Sequence, residues 1–222
     1  MSFAEPAGGA RPAVSEEVLA RAGSIQLAGD LTVPENVSSI VVFAHGSGSS
    51  RLSSRNRHVA RVLNDAGHGT LLFDLLTPEE ESDRGNVFDI GLLGERLANV
   101  TRWLRAQPST AGAAIGYFGA STGAAAALWA AAEPGAGIAA VVSRGGRPDL
   151  AGARLSTVTA PTLLIVGGDD AVVLDLNRHA RAALRCDSDL AVVPGATHLF
   201  EELGTLDAAA RLARDWFTRH LG

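Results

Sequence analysis

The chain has 222 residues, enough for one large domain with a buried core, and its 46% hydrophobic and 19% charged residues exclude a disordered protein. Its net charge is −5, whereas a general nucleic-acid binder has an excess of basic residues. All 19 basic residues are arginines, which excludes PLP enzymes, P-loop NTPases and protein kinases because each needs a lysine. The single cysteine excludes an internal disulfide and an iron–sulfur cluster.

The first 22 residues are rich in Ala, Gly and Pro, and we expect them to form a flexible tail and lead-in. They lack the apolar segment of a signal peptide, and no stretch of the chain has 18 uninterrupted apolar residues. We therefore expect a cytoplasmic protein without a membrane span, which agrees with the lack of disulfides. From Gly23 to Pro34, apolar residues alternate with polar or small ones, which predicts a β-hairpin that turns at Ala28–Asp30.

Beyond this hairpin, short apolar runs alternate with patterns of helical spacing. The runs predict strands at Ile40–Ala44, Thr70–Asp74, Ile115–Gly119, Ile138–Ser143, Thr162–Val166 and Leu190–Val193. The helical patterns lie near residues 54–66, 89–106, 122–132, 174–184 and 206–220, and the acidic run Glu79–Glu81 with Asp83 is expected to be a solvated loop. Such alternation is typical of an α/β domain in which helices cover both faces of a mostly parallel sheet. We predict one domain over residues 23–222, without a lid domain.

The strongest local motif is Gly119-Ala120-Ser121-Thr122-Gly123, which lies between a predicted strand and a predicted helix. This context is the one that a nucleophile elbow requires, because a serine on a sharp strand-to-helix turn projects its hydroxyl above the sheet. A glycine-rich turn with an incidental serine is the alternative. The context favours Ser121 as a catalytic nucleophile.

A serine nucleophile needs a base and an acid that orients the base, which follow it in the order acid, then histidine, in this architecture. Asp169 and Asp170 follow the strand that ends at Val166, and His198 follows the strand that ends at Val193. We predict Asp170 as the acid, in preference to Asp169, and His198 as the base. Either aspartate could instead cap the next helix, and His198 could be an ordinary loop residue.

An acyl-transfer site also needs hydrogen-bond donors for the oxyanion. The N–H of Thr122, directly after the nucleophile, is one candidate. The loop His45-Gly46-Ser47-Gly48-Ser49 follows the strand at Ile40–Ala44, and the N–H of Ser47 is the second candidate. His45 is expected to support this loop, because it precedes the nucleophile and lies on the wrong strand to be the base.

Together, HGSGSS, GASTG, VGGDD and GATH resemble the motifs of the α/β-hydrolase fold, and in particular its small, lidless dienelactone-hydrolase-like branch. The resemblance extends from Gly23 to the C-terminus and implies the catalytic set Ser121, Asp170 and His198. Dienelactone hydrolases proper have a cysteine at the elbow. The serine of this chain favours general serine-esterase chemistry over lactone specificity.

Several arginines follow strand ends near the expected pocket: Arg51, Arg55, Arg57, Arg144 and Arg147. Guanidinium groups suit a carboxylate or phosphate on the substrate, so Arg51, Arg55 and Arg144 are candidate substrate-binding residues. In a chain without lysine, however, every basic residue on the surface is also an arginine. These arginines could therefore be ordinary solvated residues, and this alternative stays open.

The sequence thus predicts a serine hydrolase that cleaves small soluble carboxylic esters or lactones through an acyl-enzyme. The expected partner is a small-molecule substrate, with no cofactor, metal, nucleic acid or membrane involved, in a monomer or small homo-oligomer. Two alternatives remain: an acyltransferase or perhydrolase that uses the same triad, and a non-catalytic binding module of the same fold.

Overall fold

A computed structural model describes residues 14–222, in which eight strands form one continuous sheet. The strands are β1 Val14–Ala22, β2 Ile25–Val33, β3 Ser39–Ala44, β4 Gly69–Phe73, β5 Ala114–Ala120, β6 Ile138–Arg144, β7 Thr162–Gly167 and β8 Ser188–Val193. Their order across the sheet is β1-β2-β4-β3-β5-β6-β7-β8. Strands β3 to β8 run parallel, whereas β2 is antiparallel to both β1 and β4. The predicted α/β class and mostly parallel sheet are confirmed.

Helices cover both faces of the sheet, as expected. They are α1 Ser54–Asp65, α2 Pro78–Glu81, α3 Arg84–Phe88, α4 Ile90–Arg105, α5 Thr122–Ala131, α6 Ala171–Ala183 and α7 Thr205–Leu221, with 3₁₀ segments at Pro108–Thr110 and Pro148–Thr157. Apolar residues of α1 and α7 pack on one face, and those of α4, α5 and α6 pack on the other. Burial of both sheet faces explains why β3 and β7 are apolar after their first residues, Ser39 and Thr162, since neither strand has a solvent-facing side.

The predicted hairpin at Ala28–Asp30 is wrong. Strand β1 occupies Val14–Ala22, the chain turns at Gly23 with φ of +68°, and Gly29 lies in the middle of β2 opposite Val18. The tail expected over residues 1–22 is therefore wrong for residues 14–22, and its first 13 residues lie outside the described part of the chain. Most side chains of β1 are exposed and only Ala20 and Ala22 are fully buried, so this edge strand carries a weak apolar pattern.

The acidic segment after β4 is also not the solvated loop that its charge predicted, because it forms α2 and α3. Thr77 and Glu80 form a capping box: the Thr77 hydroxyl accepts from the Glu80 N–H, and the Glu80 carboxylate accepts from the Thr77 N–H. Pro78 occupies the first helical position, where a proline is favoured. Glu80 also pairs with Arg96 of α4 at 2.6 Å, so part of the acidic run fixes this segment against the domain.

Parallel strands place their carboxyl ends at one edge of the sheet, and the loops after β3, β5, β6, β7 and β8 therefore meet there. Ser47, Ser121, Asp170 and His198 lie in these loops. No helix in the described part of the chain is long and apolar enough to cross a membrane.

Candidate active site

Ser121 lies between β5 and α5 with φ of 51° and ψ of −122°. Non-glycine residues rarely adopt positive φ, and such strain concentrates at functional sites. The two glycines of the motif make the turn possible. A Cβ atom on Gly119 would lie 2.4 Å from the Cα of Ala124, and one on Gly123 would lie 2.1 Å from the carbonyl oxygen of Ala44. The structure thus has the sharp strand-to-helix turn that the motif predicted.

His198 connects Ser121 to Asp170. Its Nδ1 lies 2.7 Å from Oδ2 of Asp170, and its Nε2 lies 3.4 Å from Oγ of Ser121. Because a carboxylate only accepts hydrogen bonds, Nδ1 carries the proton and Nε2 presents its lone pair to the serine hydroxyl. A contact of 3.4 Å is compatible with a catalytic role, since catalytic hydrogen bonds often shorten only in the reactive complex.

Asp170, rather than Asp169, is the aspartate that contacts His198. Asp170 precedes α6 but its side chain makes no capping hydrogen bond to the helix, so the capping alternative does not describe it. Its side chain is 15% exposed and directed at His198. Asp169 is exposed, and its N–H donates to the carbonyl oxygen of Ala196. This geometry favours the choice made from the sequence.

The loop after β3 is fixed by His45, as expected. The imidazole Nδ1 donates to the carbonyl oxygen of Gly46 at 3.0 Å, and Nε2 accepts from the N–H of Leu75 at 3.0 Å. These two bonds define a neutral imidazole with its proton on Nδ1. Burial of the ring lowers the pKa of His45, which favours the same neutral form.

Ser47 and Thr122, the two predicted sources of oxyanion donors, lie next to each other. The N–H of Ser47 donates to Oγ1 of Thr122 at 2.9 Å. The side chain of Thr122 therefore occupies a donor that we expected to be free for substrate. Nothing in the sequence motif distinguishes this arrangement from one in which the Ser47 N–H is unoccupied.

Ser121 opens into a cavity of about 220 Å³, which we name the Ser121 cavity. It is bounded by the loop after β3, the start of α1 and the loop that carries His198. Its polar lining consists of Ser47, Ser49, Ser53, Arg55, Asn56, Ser121, Arg144 and His198. Two of the three arginines proposed for substrate binding thus lie in the same cavity as the candidate nucleophile.

Arg144 is the last residue of β6 and is only 7% exposed. Its guanidinium lies 6.0 Å from the ring centre of Phe118 and 5.8 Å from that of Phe200, and Nη2 donates to Asn56 Oδ1 at 3.4 Å. Within residues 14–222, Nε and Nη1 have no hydrogen-bond partner. Burial, and secondarily the charge of Arg55, lower the pKa of Arg144 to about 10, so it stays cationic at neutral pH.

The other arginines differ in how their charge is used. Arg55 pairs with Glu201 at 3.0 Å at the edge of the cavity. The expectation for Arg51 is wrong: its guanidinium binds Asp30 at 2.9 Å and Asp74 at 3.4 Å, and it does not line the Ser121 cavity. Strand β2 brings Asp30 to this position by long-range pairing, which the local sequence does not show.

Sequence reasoning missed Asn56, the partner of Arg144. It is 2% exposed and shares one face of α1 with Val59, Ala60 and Leu63. A polar residue on an otherwise apolar helix face is a detectable signal, because a buried amide needs a polar partner. No cluster of three or more His, Cys, Asp and Glu side chains suited to a metal ion exists between residues 14 and 222.

Comparisons with known proteins agree with this fold. The model of the dienelactone hydrolase family matches residues 27–219. A crystal structure of dienelactone hydrolase from Anabaena variabilis is 52% identical, with a TM-score of 0.91 over 95% of this chain and 99% of that one. An esterase domain from Rhodothermus marinus has the same fold at 19% identity, with a TM-score of 0.73 over 95% of this chain and 100% of that one.

A Mycobacterium tuberculosis protein with the provisional name phosphoribosyl transferase is 65% identical over 210 residues, which are 95% of this chain. Those residues make up 47% of the relative, so the chain spans about half the length of the curated proteins that it matches. The relative's name therefore describes a protein about twice as long.

Proposed function

Because this chain belongs to the dienelactone hydrolase family, we propose that it is a serine hydrolase that cleaves small carboxylic esters or lactones through an acyl-enzyme. The family supports hydrolase chemistry. The observation that carries the finer proposal is the continuous contact from Ser121 through His198 to Asp170 at a strained strand-to-helix turn.

In the first half of the proposed reaction, the hydroxyl of Ser121 attacks the ester carbonyl while Nε2 of His198 accepts its proton. Asp170 holds the imidazole in the tautomer that can accept it and stabilises the imidazolium that forms. In this proposal the N–H of Thr122, which the start of α5 leaves without a partner in its own helix, stabilises the oxyanion. His198 then gives its proton to the departing alcohol.

Water hydrolyses the acyl-enzyme in the second half, with His198 again acting as base. The proton that His198 takes from water is returned to Oγ of Ser121 when the acid leaves. The free enzyme is regenerated with Nδ1 of His198 still bonded to Asp170. The chain's own side chains and backbone N–H groups supply each of these roles.

We further propose that the Ser121 cavity binds an ester with an anionic substituent, through Arg144 and secondarily Arg55. A buried charge is costly unless it is paired, yet Arg144 has aromatic rings and one amide around it rather than a carboxylate. A carboxylate or phosphate in the cavity would supply the missing acceptor for a guanidinium. Arg55 is paired with Glu201, whose side chain is 63% exposed, and its guanidinium can turn from this partner towards the same anionic group.

Labelling with a fluorophosphonate tests the proposed hydrolase. The probe should add covalently to Ser121 in the wild-type protein, and peptide mass spectrometry should place the adduct on that residue. The Ser121→Ala variant should remain unlabelled and should not hydrolyse p-nitrophenyl esters. An unlabelled wild-type protein that also lacks esterase activity would instead support a non-catalytic binding module.

A further inference from the structure

The oxyanion site of this chain differs from two free backbone N–H groups, because one of its donors already has an acceptor. The Ser47 N–H donates to Oγ1 of Thr122 at 2.9 Å. A single N–H cannot give full-strength hydrogen bonds to two acceptors at once. The second oxyanion donor is therefore either the Ser47 N–H, once the threonine side chain has been displaced from it, or the threonine hydroxyl itself.

The direction of the Ser47 N–H is fixed by its surroundings. The carbonyl oxygen of Gly46, in the same peptide unit, accepts from Nδ1 of His45 at 3.0 Å and from the N–H of Ser49 at 3.2 Å. A trans peptide unit is planar, so its N–H points away from its carbonyl. The Ser47 N–H is thereby directed at Thr122, and turning it elsewhere would break both bonds to Gly46.

The proton of the Thr122 hydroxyl, in contrast, is uncommitted. In a helix interior, a threonine hydroxyl commonly donates to the carbonyl four residues earlier. Thr122 is the first residue of α5, so this intrahelical acceptor does not exist. The only hydrogen bond of its side chain in the described structure is the one that it accepts from Ser47. The side chain is buried, with 5% of the residue exposed, and it directly follows Ser121.

We propose that the Thr122 hydroxyl donates a hydrogen bond to the oxyanion, and that the Ser47 N–H acts through it. The inference rests on the proposed serine-hydrolase function and adds a catalytic residue to it. A hydroxyl that accepts a hydrogen bond is polarised by it and becomes a stronger hydrogen-bond donor. Thr122 then contributes its N–H and its hydroxyl to the oxyanion, while His45 is the positioning residue that keeps the Ser47 N–H aimed at the hydroxyl.

Substitution of Thr122 by valine and by serine tests this proposal. Valine keeps the branched shape without the hydroxyl, whereas serine keeps the hydroxyl. We expect Thr122→Val to lower kcat about 10- to 100-fold with little change in KM, since removal of one oxyanion donor costs about 10²- to 10³-fold and the released Ser47 N–H restores part of the loss. Thr122→Ser should remain within about threefold of wild type, and Thr122→Ala should behave like the valine variant if valine impairs folding.

A matched control is Thr162→Val. Thr162 is also buried, its hydroxyl donates to the carbonyl oxygen of Ala160, and it begins β7 at the edge of the sheet opposite the candidate site. Its substitution should change the thermal midpoint without changing kcat. A Thr122→Val or Thr122→Ala enzyme as fast as wild type, or faster, would overturn the proposal by showing that the hydroxyl only blocks the Ser47 N–H. Fluorophosphonate labelling of wild-type Ser121 separates that outcome from failure of the hydrolase proposal itself.

Discussion

Replacing Arg144 by methionine should make the protein more stable while removing its preference for anionic esters. Methionine keeps an apolar stem against Phe118 and Phe200 but removes the buried charge. A pKa lowered from 12.5 to about 10 corresponds to about 3 kcal/mol against the charged form in the folded state. The contacts with the two rings offset about 0.5–2 kcal/mol of this. We expect a net gain of about 1–2 kcal/mol, or about 2–8 °C in Tm for a domain of this size.

The kinetic part uses two substrates with the same number of acyl carbons, mono-p-nitrophenyl succinate and p-nitrophenyl butyrate. A hydrogen bond to a charged group contributes about 1.5–3 kcal/mol, so Arg144→Met should lower kcat/KM for the succinate about 10- to 100-fold. Activity on the butyrate should stay within a few-fold of wild type. Thermal unfolding and steady-state kinetics on the same preparations measure both effects.

Arg147→Met is the matched control, because Arg147 lies three residues further on, pairs with Asp149 at 2.8 Å and is 38% exposed. It should change neither the Tm nor the ratio of the two substrates appreciably. A lower Tm for Arg144→Met, together with equal losses on both esters, would refute the reasoning. That result would mean that the guanidinium contributes to packing and carries no recognition of an anion.

Four further outcomes are expected. Ser121→Ala should lower kcat by a factor on the order of 10⁶, measured with p-nitrophenyl acetate, as removal of a triad nucleophile does. Asp170→Asn should lower kcat about 10⁴-fold by favouring the wrong imidazole tautomer, whereas Asp169→Asn should stay within a few-fold; the reverse pattern would reassign the acid. The connection of residues 144–160 is too short for a multi-helix lid, so kcat/KM should be highest for acetate to butyrate esters, and a maximum at twelve carbons would contradict an open cavity. Burial lowers the pKa of His68, so below pH 6.5 the unfolded chain binds a proton that the folded chain does not. Urea unfolding should therefore show that stability decreases as the pH is lowered, by up to about 1.4 kcal/mol per pH unit, and less steeply in His68→Gln.

Most of the fold could be predicted because most of its parallel strands are buried on both faces and its longer helices are buried on one. Such strands, β3 and β7 among them, have continuous apolar patterns that need no knowledge of their neighbours. Strand β1 escaped prediction for the opposite reason. It lies at the edge of the sheet and contributes mainly two alanines to the core, Ala20 and Ala22. Its pairing with β2, rather than its composition, makes it a strand.

In the candidate site, too, some features could be predicted from the sequence and others could not. Ser121, Asp170 and His198 could be found because each follows a recognisable strand and the architecture fixes their order along the chain. The contact of Thr122 with Ser47 could not be found in the same way, since it depends on a side-chain rotamer and on the path of a loop 75 residues away in sequence. Local motifs thus identify the candidate reacting groups, whereas the donors around them depend on tertiary packing.

The arginines show why burial, rather than residue type, decides which charges are available to a ligand. Without lysine, the sequence uses the same side chain for the surface and for the cavity. Arg51 and Arg57 both reach Asp30, and Arg147 reaches Asp149, so these charges are compensated within the chain. Arg144 is the most buried of them, and its guanidinium lies beside an amide and two aromatic rings. The free energy that this arrangement costs the fold is the reason to expect that the guanidinium is retained for binding, because an apolar residue at this position would give the more stable protein.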